Sequence, residues 1–157
     1  MAQMLDLSKA ILRSAAVAIA ITSLGGCSFF GINFGMAQLS PKECLMRAMY
    51  FESNRSSSEG MLAVGTVVMN RVNDQRYPHS ICGVVGQRNQ FASGVMTKKM
   101  TDSGAVLASQ MADQVLGGAR HPGVRNAMHF HTAGMRFPYN NMHYVLMAGG
   151  NEFYEKY

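Results

Sequence analysis

Hydrophobic positions in the middle of the chain recur at helical spacing. Leu45 and Met49 fall near one face, and the preceding Ser40-Pro41-Lys42-Glu43 combines a capping box with proline at the first helical position. This pattern predicts a first helix over residues 41–51.

A polar break at residues 53–58 precedes a second and more apolar run. Ser56 and Glu59 have the spacing of a capping box, and apolar residues then dominate through residues 61–69. We expect a helix that begins near Ser56 and ends near residues 70–73. Because most of its sides are apolar, this helix should lie at the centre of the domain.

Residues 77–101 contain several residues that favour turns and loops. Tyr77-Pro78-His79 indicates a turn, and Ser80 is expected to cap a short helix that runs through Val85. Residues 86–101 contain glycines, amides and lysines without a period, so they are predicted to form a loop.

The last third of the chain changes in character. Asp102 or Ser103 is expected to begin another helix, which ends at Gly117-Gly118. Residues 128–131 and 142–147 alternate or run apolar and are predicted to be short strands or extended segments. The whole pattern predicts a mainly α (α+β) single domain.

The N-terminal 37 residues have the pattern of an export signal. Lys9 and Arg13 precede an apolar stretch at residues 15–24, which is shorter than the roughly 20 residues that span a bilayer. Leu24-Gly25-Gly26-Cys27 resembles a lipobox, in which Cys27 would be lipidated. Cleavage after Gly35-Met36-Ala37 is the alternative, and an uncleaved anchor is a third.

Removal of residues 1–37 leaves a domain over residues 38–157. This part has twelve Lys and Arg against eight Asp and Glu. A basic exported domain suits an anionic polymer of the cell envelope, whereas export argues against nucleic acid as a partner. We expect the protein in the periplasm or cell envelope, with membrane contact through a lipid anchor alone.

Two cysteines, Cys44 and Cys82, remain in this domain. An even pair in an exported protein predicts a disulfide bond. Two buried free thiols are the alternative.

Glu52 has the surroundings of a general acid. It follows Met49-Tyr50-Phe51 at the predicted helix end, and apolar neighbours raise the pKa of a carboxyl group so that it stays protonated. Arg55 would act in the opposite direction. Position alone favours an ordinary solvated helix-end glutamate.

A set of short motifs runs from Cys44 to Tyr154. The motifs are Tyr50-Phe51-Glu52, Glu59-Gly60, Ala63-Val64, Val68-Met69-Asn70-Arg71-Val72, Tyr77-Pro78, Ile81-Cys82-Gly83-Val84-Val85, Gln90-Phe91, His129-Phe130-His131, Pro138 and Gly150-Asn151-Glu152-Phe153-Tyr154. The spacing from Glu52 through Glu59-Gly60 to Asn70-Arg71-Val72 is the most specific part. Together these motifs resemble the spore-cortex-lytic and cell-wall hydrolase family.

The resemblance implies a lysozyme-like or lytic-transglycosylase-like domain that cuts peptidoglycan between N-acetylmuramic acid and N-acetylglucosamine. It also implies that Glu52 is the catalytic residue. The sequence departs from the family pattern at Ser53-Asn54-Arg55-Ser56, where Ala-Arg-Gly-Glu is common. It departs again at Tyr139, where tryptophan is usual, and the chain contains no tryptophan.

The number of catalytic carboxylates separates two mechanisms. A muramidase needs a second carboxyl group, whereas a lytic transglycosylase uses the C6 hydroxyl of the muramic acid as nucleophile. Glu59 is the possible second acid, although a helix-capping role explains it more simply. Asp74 or Asp102 could be brought near by folding. We predict one acid, and therefore transglycosylation.

Several further residues are predicted to contact substrate. Gln90 and Phe91 lie in a loop, where binding residues concentrate. Asn70 and Arg71 end the central helix and would hold substrate amides or brace the site. The groove wall is expected to include His129, His131 and Tyr139.

Two other functions fit parts of the sequence. A zinc amidase or peptidase could use His129, His131, His143 and Glu152 as ligands. A peptidoglycan-binding envelope assembly protein without activity is the second alternative. The main hypothesis requires no cofactor and no metal, and its partners are glycan strands, with envelope assembly or secretion machinery as further partners.

Overall fold

The computed structural model describes residues 38–157. The predicted export signal at residues 1–37 and the predicted lipidation of Cys27 lie outside the described residues. Within residues 38–157, no helix is long and apolar enough to cross a membrane.

Four α-helices form the first two thirds of the described chain. Their bounds are α1 Pro41–Glu52, α2 Ser58–Val72, α3 Ile81–Val85 and α4 Gly104–Leu116. Ser40 caps α1 by accepting a hydrogen bond from the Glu43 amide, and Ser80 caps α3 in the same way from Gly83. All four helices were predicted from the sequence.

The predicted capping box of α2 is wrong. The cap is Ser57, whose hydroxyl accepts from the amide of Gly60 at 3.0 Å. The Ser56 hydroxyl instead donates to Asn54 Oδ1 at 2.8 Å. Any of the three consecutive serines, Ser56 to Ser58, could cap the helix. Because Ser56 takes part in the turn with Asn54, Ser57 is left as the cap. Glu59 is therefore free of a capping role.

Helix α2 is the central helix, as predicted. It packs against α1, α3 and α4, and its buried side chains include Met61, Val64, Val67 and Val68. A Cβ atom at Gly65 would displace the terminal methyl group of Met49 in α1 and press against Val115 of α4, so this glycine lies where the three helices meet closely.

A three-stranded antiparallel sheet completes the domain. Its strands are β1 His129–Thr132, β2 Met142–Ala148 and β3 Asn151–Lys156, in the order β1-β3-β2. The sequence predicted β1 and β2 and missed β3, the middle strand. A 3₁₀ helix at Pro122–Val124 lies between α4 and the sheet.

The register of the sheet sorts its side chains onto two faces. Phe130 pairs with Phe153, which is fully buried, so this inner face joins the core. His129 pairs with Tyr154, and His131 with Glu152, on the outer face. A register shift between Tyr144 and Leu146 in β2 bends the sheet locally.

Cys44 of α1 and Cys82 of α3 form a disulfide bond, with their Cα atoms 5.2 Å apart. The prediction of this bond is confirmed. The bond links the first helix of the described domain to the segment that follows the central helix, across a sequence separation of 38 residues.

Candidate active site

Glu52 is the last residue of α1, where helical backbone carbonyls have no partner within the helix. The side-chain amide of Asn151, which is 5% exposed, donates to the carbonyl oxygen of Glu52 at 2.5 Å. The backbone amide of Asn54 donates to Gly149 O at 2.9 Å. The start of β3 and the turn before it therefore fix the helix end that carries Glu52.

The carboxyl group of Glu52 is partly buried and accepts a hydrogen bond from the backbone amide of Ala92. Burial raises the pKa of Glu52 above its ordinary value, and this effect exceeds the lowering by the Ala92 hydrogen bond and by the positive charge of Arg71. A raised pKa keeps part of the population protonated, as a general acid requires.

Arg71 is the cation that acts on Glu52, where the sequence pointed to Arg55. The Arg71 side chain is buried, with 3% of its residue surface exposed, and its Nε donates to Met128 O at 2.8 Å. Its guanidinium carbon lies 5.3 Å from the ring centroids of Phe91 and Tyr77. Burial lowers the pKa of Arg71, opposed by the charges of Tyr77, Tyr154 and Glu52.

Arg55 is directed away from this carboxyl group. It forms an ion pair with Asp102 at 2.8 Å and lies over the ring of Tyr50 at 4.5 Å. The segment that departs from the family pattern thus makes its own contacts, because Asn54 and Ser56 bond to each other and Arg55 bonds to Asp102. The carboxyl hydrogen bond to Glu52 comes from Ala92 instead.

A groove of about 400 Å³ lies over Glu52. Three predicted contact residues, Gln90, Phe91 and His131, line it together with Glu52. The rest of the lining is Phe51, Asn89, Phe130, Thr132, Met135 and Asn151. The groove is therefore formed by the end of α1, the loop before residue 92 and the edge of the sheet at β1.

Besides Arg71, four predicted site residues lie outside this groove lining. The Asn70 amide donates to the carbonyl oxygens of Arg125 and Ala127, at 3.0 and 2.9 Å. Asn70 thus braces the segment ahead of β1 and lines a different cleft.

The other three predicted site residues outside the groove lining are His129, Tyr139 and Glu59. The His129 ring stacks on Tyr154 on the outer face of the sheet, at a centroid distance of 5.3 Å, and burial lowers its pKa. Tyr139 is 61% exposed in the β1–β2 loop. Glu59 faces the ring of His121 at 3.3 Å in a separate cleft.

Close backbone packing fixes the position of the Glu52 helix end. Gly60, at the start of α2, approaches Gly149, which has φ +57° in the β2–β3 turn. A Cβ atom at Gly60 would collide with Gly149 Cα and with the hydroxyl of Ser53. Gly60 therefore lets three chain segments meet directly behind Glu52.

Asn151 and Thr132 also line the groove, and no motif in the sequence indicated a site role for either. Asn151 stood in the family motif Gly150-Asn151-Glu152, and the two glycines before it marked a tight turn. That turn signal was the available evidence that Asn151 follows a chain reversal. Its contact with Glu52 depends on strand β3, which the sequence analysis missed.

In the part of the chain that the structure describes, the four side chains predicted as zinc ligands do not form one cluster, although His131 Nε2 lies 3.9 Å from Glu152 Oε2. Within residues 38–157, no group of three or more His, Cys, Asp or Glu side chains could hold a metal ion. His131 Nδ1 donates to Thr132 O, and its Nε2 lies 2.9 Å from the Tyr144 hydroxyl. His143 lies beside the ring of Tyr157.

Comparison with known proteins identifies related sequences and structures. A family model described as Cell Wall Hydrolase matches residues 55–154. No curated protein sequence matches the chain significantly.

Two solved structures share the fold. The catalytic domain of the Bacillus cereus SleB protein has a TM-score of 0.60 and 19% identity, covering 76% of this chain and 94% of that chain. The catalytic domain of the germination-specific lytic transglycosylase SleB from Bacillus anthracis has a TM-score of 0.59 and 20% identity, covering 77% and 99%. The predicted lysozyme-like, mainly helical fold is confirmed.

Proposed function

The chain belongs to the cell wall hydrolase family, and from this membership and the groove over Glu52 we propose that it is a lytic transglycosylase of peptidoglycan. The bond cut is the one between N-acetylmuramic acid and N-acetylglucosamine. Glu52 is the single essential carboxylate, and the product strand ends in anhydromuramic acid.

The observation that carries this proposal is the carboxylate content of the groove. Of its ten lining residues, Glu52 alone bears a carboxyl group. Asp74 pairs with Arg76 at 2.8 Å, and Asp102 pairs with Arg55 at 2.8 Å. A hydrolase needs a second carboxyl group to activate water or to attack the sugar. The groove lining offers none, which favours a nucleophile supplied by the substrate.

Glu52 acts twice in the proposed reaction. Its proton passes to the glycosidic oxygen while the bond from that oxygen to C1 of the muramic acid breaks. The resulting carboxylate then takes the proton of the C6 hydroxyl as O6 forms a bond to C1. Glu52 is thereby protonated again, and no water is consumed.

The local electrostatics suit this double role. Partial burial favours the protonated form before the first proton transfer. The Ala92 amide and the buried charge of Arg71 stabilise the carboxylate that forms next. Asn89, Gln90 and Thr132 provide neutral polar groups along the groove for the sugar hydroxyl and acetamido groups.

Mass spectrometry of digested, purified sacculi tests the proposal. We expect anhydromuramic ends in wild type and no new ends with Glu52→Gln. Reducing muramic ends alone would identify a hydrolase and overturn transglycosylation. Cleaved peptide stems with intact glycan would identify an amidase, and binding without turnover would identify a non-catalytic envelope protein.

The proposed place of action is the cell envelope outside the cytoplasmic membrane. Membership of a cell-wall-acting family, the disulfide bond and the N-terminal export pattern support it. The finer proposal is lipidation of Cys27, with cleavage after Ala37 as the alternative. A tethered enzyme of this kind suits local wall clearing for an envelope assembly or secretion machine.

A further inference from the structure

Exposed apolar side chains are concentrated on one side of the described domain. Eight large hydrophobic residues within residues 38–157 are exposed, and five of them fall in the β1–β2 loop and in β2. We call these five the β1–β2 surface: Met135, Phe137, Tyr139, Tyr144 and Met147. Clustered exposed apolar groups of this kind mark binding surfaces more often than isolated ones do.

The β1–β2 surface is continuous with the groove over Glu52. Met135 and His131 both line that groove. The His131 ring contacts Phe137 at a centroid distance of 4.9 Å and Tyr144 at 5.5 Å. A polymer that lies in the groove and leaves it past His131 therefore meets Phe137 next.

Two neighbouring rings on this surface, which we call the platform, lie nearly parallel. The planes of Phe137 and Tyr139 make an angle of 10°, and their centroids are 6.2 Å apart. They are 38% and 61% exposed. Lys156 places its ammonium group 5.6 Å from the Tyr139 ring centroid. The platform thus combines exposed aromatic rings with a positive charge beside Tyr139.

We propose that Phe137 and Tyr139 form a distal subsite that binds the glycan strand beyond the sugars held at Glu52, with Lys156 receiving a carboxylate of the attached peptide stem. This inference rests on the proposed function. Sugar rings present C–H groups that pack on aromatic rings, while the peptide stems supply negative charge. A glycan carrying such stems matches both properties of the platform.

Chain length is the variable that tests the subsite. Initial rates of wild type, Phe137→Ala, Tyr139→Ala and the double variant are compared on long uncrosslinked glycan strands and on a short tetrasaccharide. For the double variant, loss of two aromatic contacts is expected to raise KM on long strands by about tenfold, with kcat retained. The KM increase for the tetrasaccharide should be much smaller.

Val106→Ala is the matched control, because Val106 is 63% exposed on α4 and lies outside both the groove lining and the β1–β2 surface. It should leave both KM values unchanged. Equal KM increases on short and long strands in the double variant would overturn the subsite. Loss of a dimer in that variant, measured by sedimentation, would instead identify a contact between copies and would also overturn it.

Binding separates this inference from the proposed reaction. In a Glu52→Gln background, cosedimentation with sacculi measures binding without turnover, and Phe137→Ala with Tyr139→Ala should weaken it. That result would stand even if the wild type formed no anhydromuramic ends. Lys156→Gln should weaken binding to strands with peptide stems and spare strands from which an amidase has removed them. Equal binding of both strand types would refute the role of Lys156.

Discussion

The guanidinium group of Arg71 lies over the ring of Phe91, 5.3 Å from its centroid. Phe91 immediately precedes Ala92, whose amide donates to the Glu52 carboxyl group. A cation at the end of the central helix therefore supports the loop segment that binds the proposed catalytic acid, and its charge also reaches that acid.

Arg71→Met is expected to move the alkaline limb of the kcat/KM profile to higher pH. Without the positive charge, the pKa of Glu52 rises further, so the protonated acid survives at higher pH. Arg71→Lys keeps the charge and should leave the limb close to that of wild type. Because both variants lose the planar contact with Phe91, both should melt earlier. An unmoved limb in Arg71→Met would assign Arg71 a structural role alone.

Glu52→Gln is expected to keep the fold and to lose at least about a hundredfold in kcat on purified sacculi, as removal of a general acid does. Glu43→Gln is a suitable control, because Glu43 pairs with Arg47 on α1 at 3.0 Å, outside the groove lining. Turnover by Glu52→Gln close to that of wild type would exclude Glu52 as the acid.

Glu52→Gln should also stabilise the fold at neutral pH. The folded-state pKa of Glu52 is raised, so its contribution to stability is greatest at low pH and falls as pH rises through the ordinary value towards the folded one. Glutamine does not ionise, so the variant does not lose this stability as pH rises. Thermal melting should show a higher Tm for the variant at pH 7 and a shrinking difference in acid. A lower Tm at pH 7 would contradict the raised pKa.

Asp74→Asn and Asp102→Asn test whether a second carboxylate takes part. Arg76 hydrogen bonds lower the pKa of Asp74 to about 2, and Asp74 lies outside the groove lining. Asp102 accepts from the Gly104 amide at the start of α4. We expect both variants to retain kcat, with some loss of Tm for Asp102→Asn. A hundredfold loss of kcat in either folded variant would identify the second acid of a hydrolase.

The Cys44–Cys82 bond should stabilise the domain. On the chain-entropy model its 38-residue separation corresponds to about 4 kcal/mol of unfolding free energy, as an upper figure. Denaturant unfolding of Cys44→Ala with Cys82→Ala measures the change. Thiol labelling of denatured, unreduced protein from the periplasm should find neither cysteine free, and two labelled thiols would rule the bond out.

Lipidation of Cys27 stays a prediction from the sequence. A fatty-acid analogue fed to cells should label the wild type and fail to label Cys27→Ala. A mature protein whose sequence begins at Gln38 would show cleavage after Ala37 instead.

The helices could be predicted because local signals specify them. Ser40 and Ser80 stand next to apolar runs of helical period, and each caps its helix as expected. The start of α2 was misplaced because three adjacent serines give the same local signal. The contact that chooses Ser57 is the turn between Asn54 and Ser56, which is a matter of geometry rather than composition.

The site was predictable only where its residues are close in sequence to a recognisable motif. Glu52, Gln90, Phe91 and His131 line one groove, and their roles in binding and catalysis stay predictions. The roles of Arg71 and Asn151 depend on contacts between distant elements, which periodicity does not encode. Arg55 is nearer to Glu52 in sequence than Arg71 is. Its ion pair with Asp102 nevertheless keeps its guanidinium group away from the Glu52 carboxyl group.

The contact between Gly60 and Gly149 has a consequence for how the protein can vary. Most packed pairs tolerate a larger residue on one side if a smaller one replaces its partner. Both residues here already lack a side chain, so neither can shrink to accommodate a change in the other. Shortening Ser53 would relieve only the part of the contact that its hydroxyl makes. A larger residue at Gly60 or Gly149 would therefore also have to shift the β2–β3 turn, and with it the neighbouring Asn151.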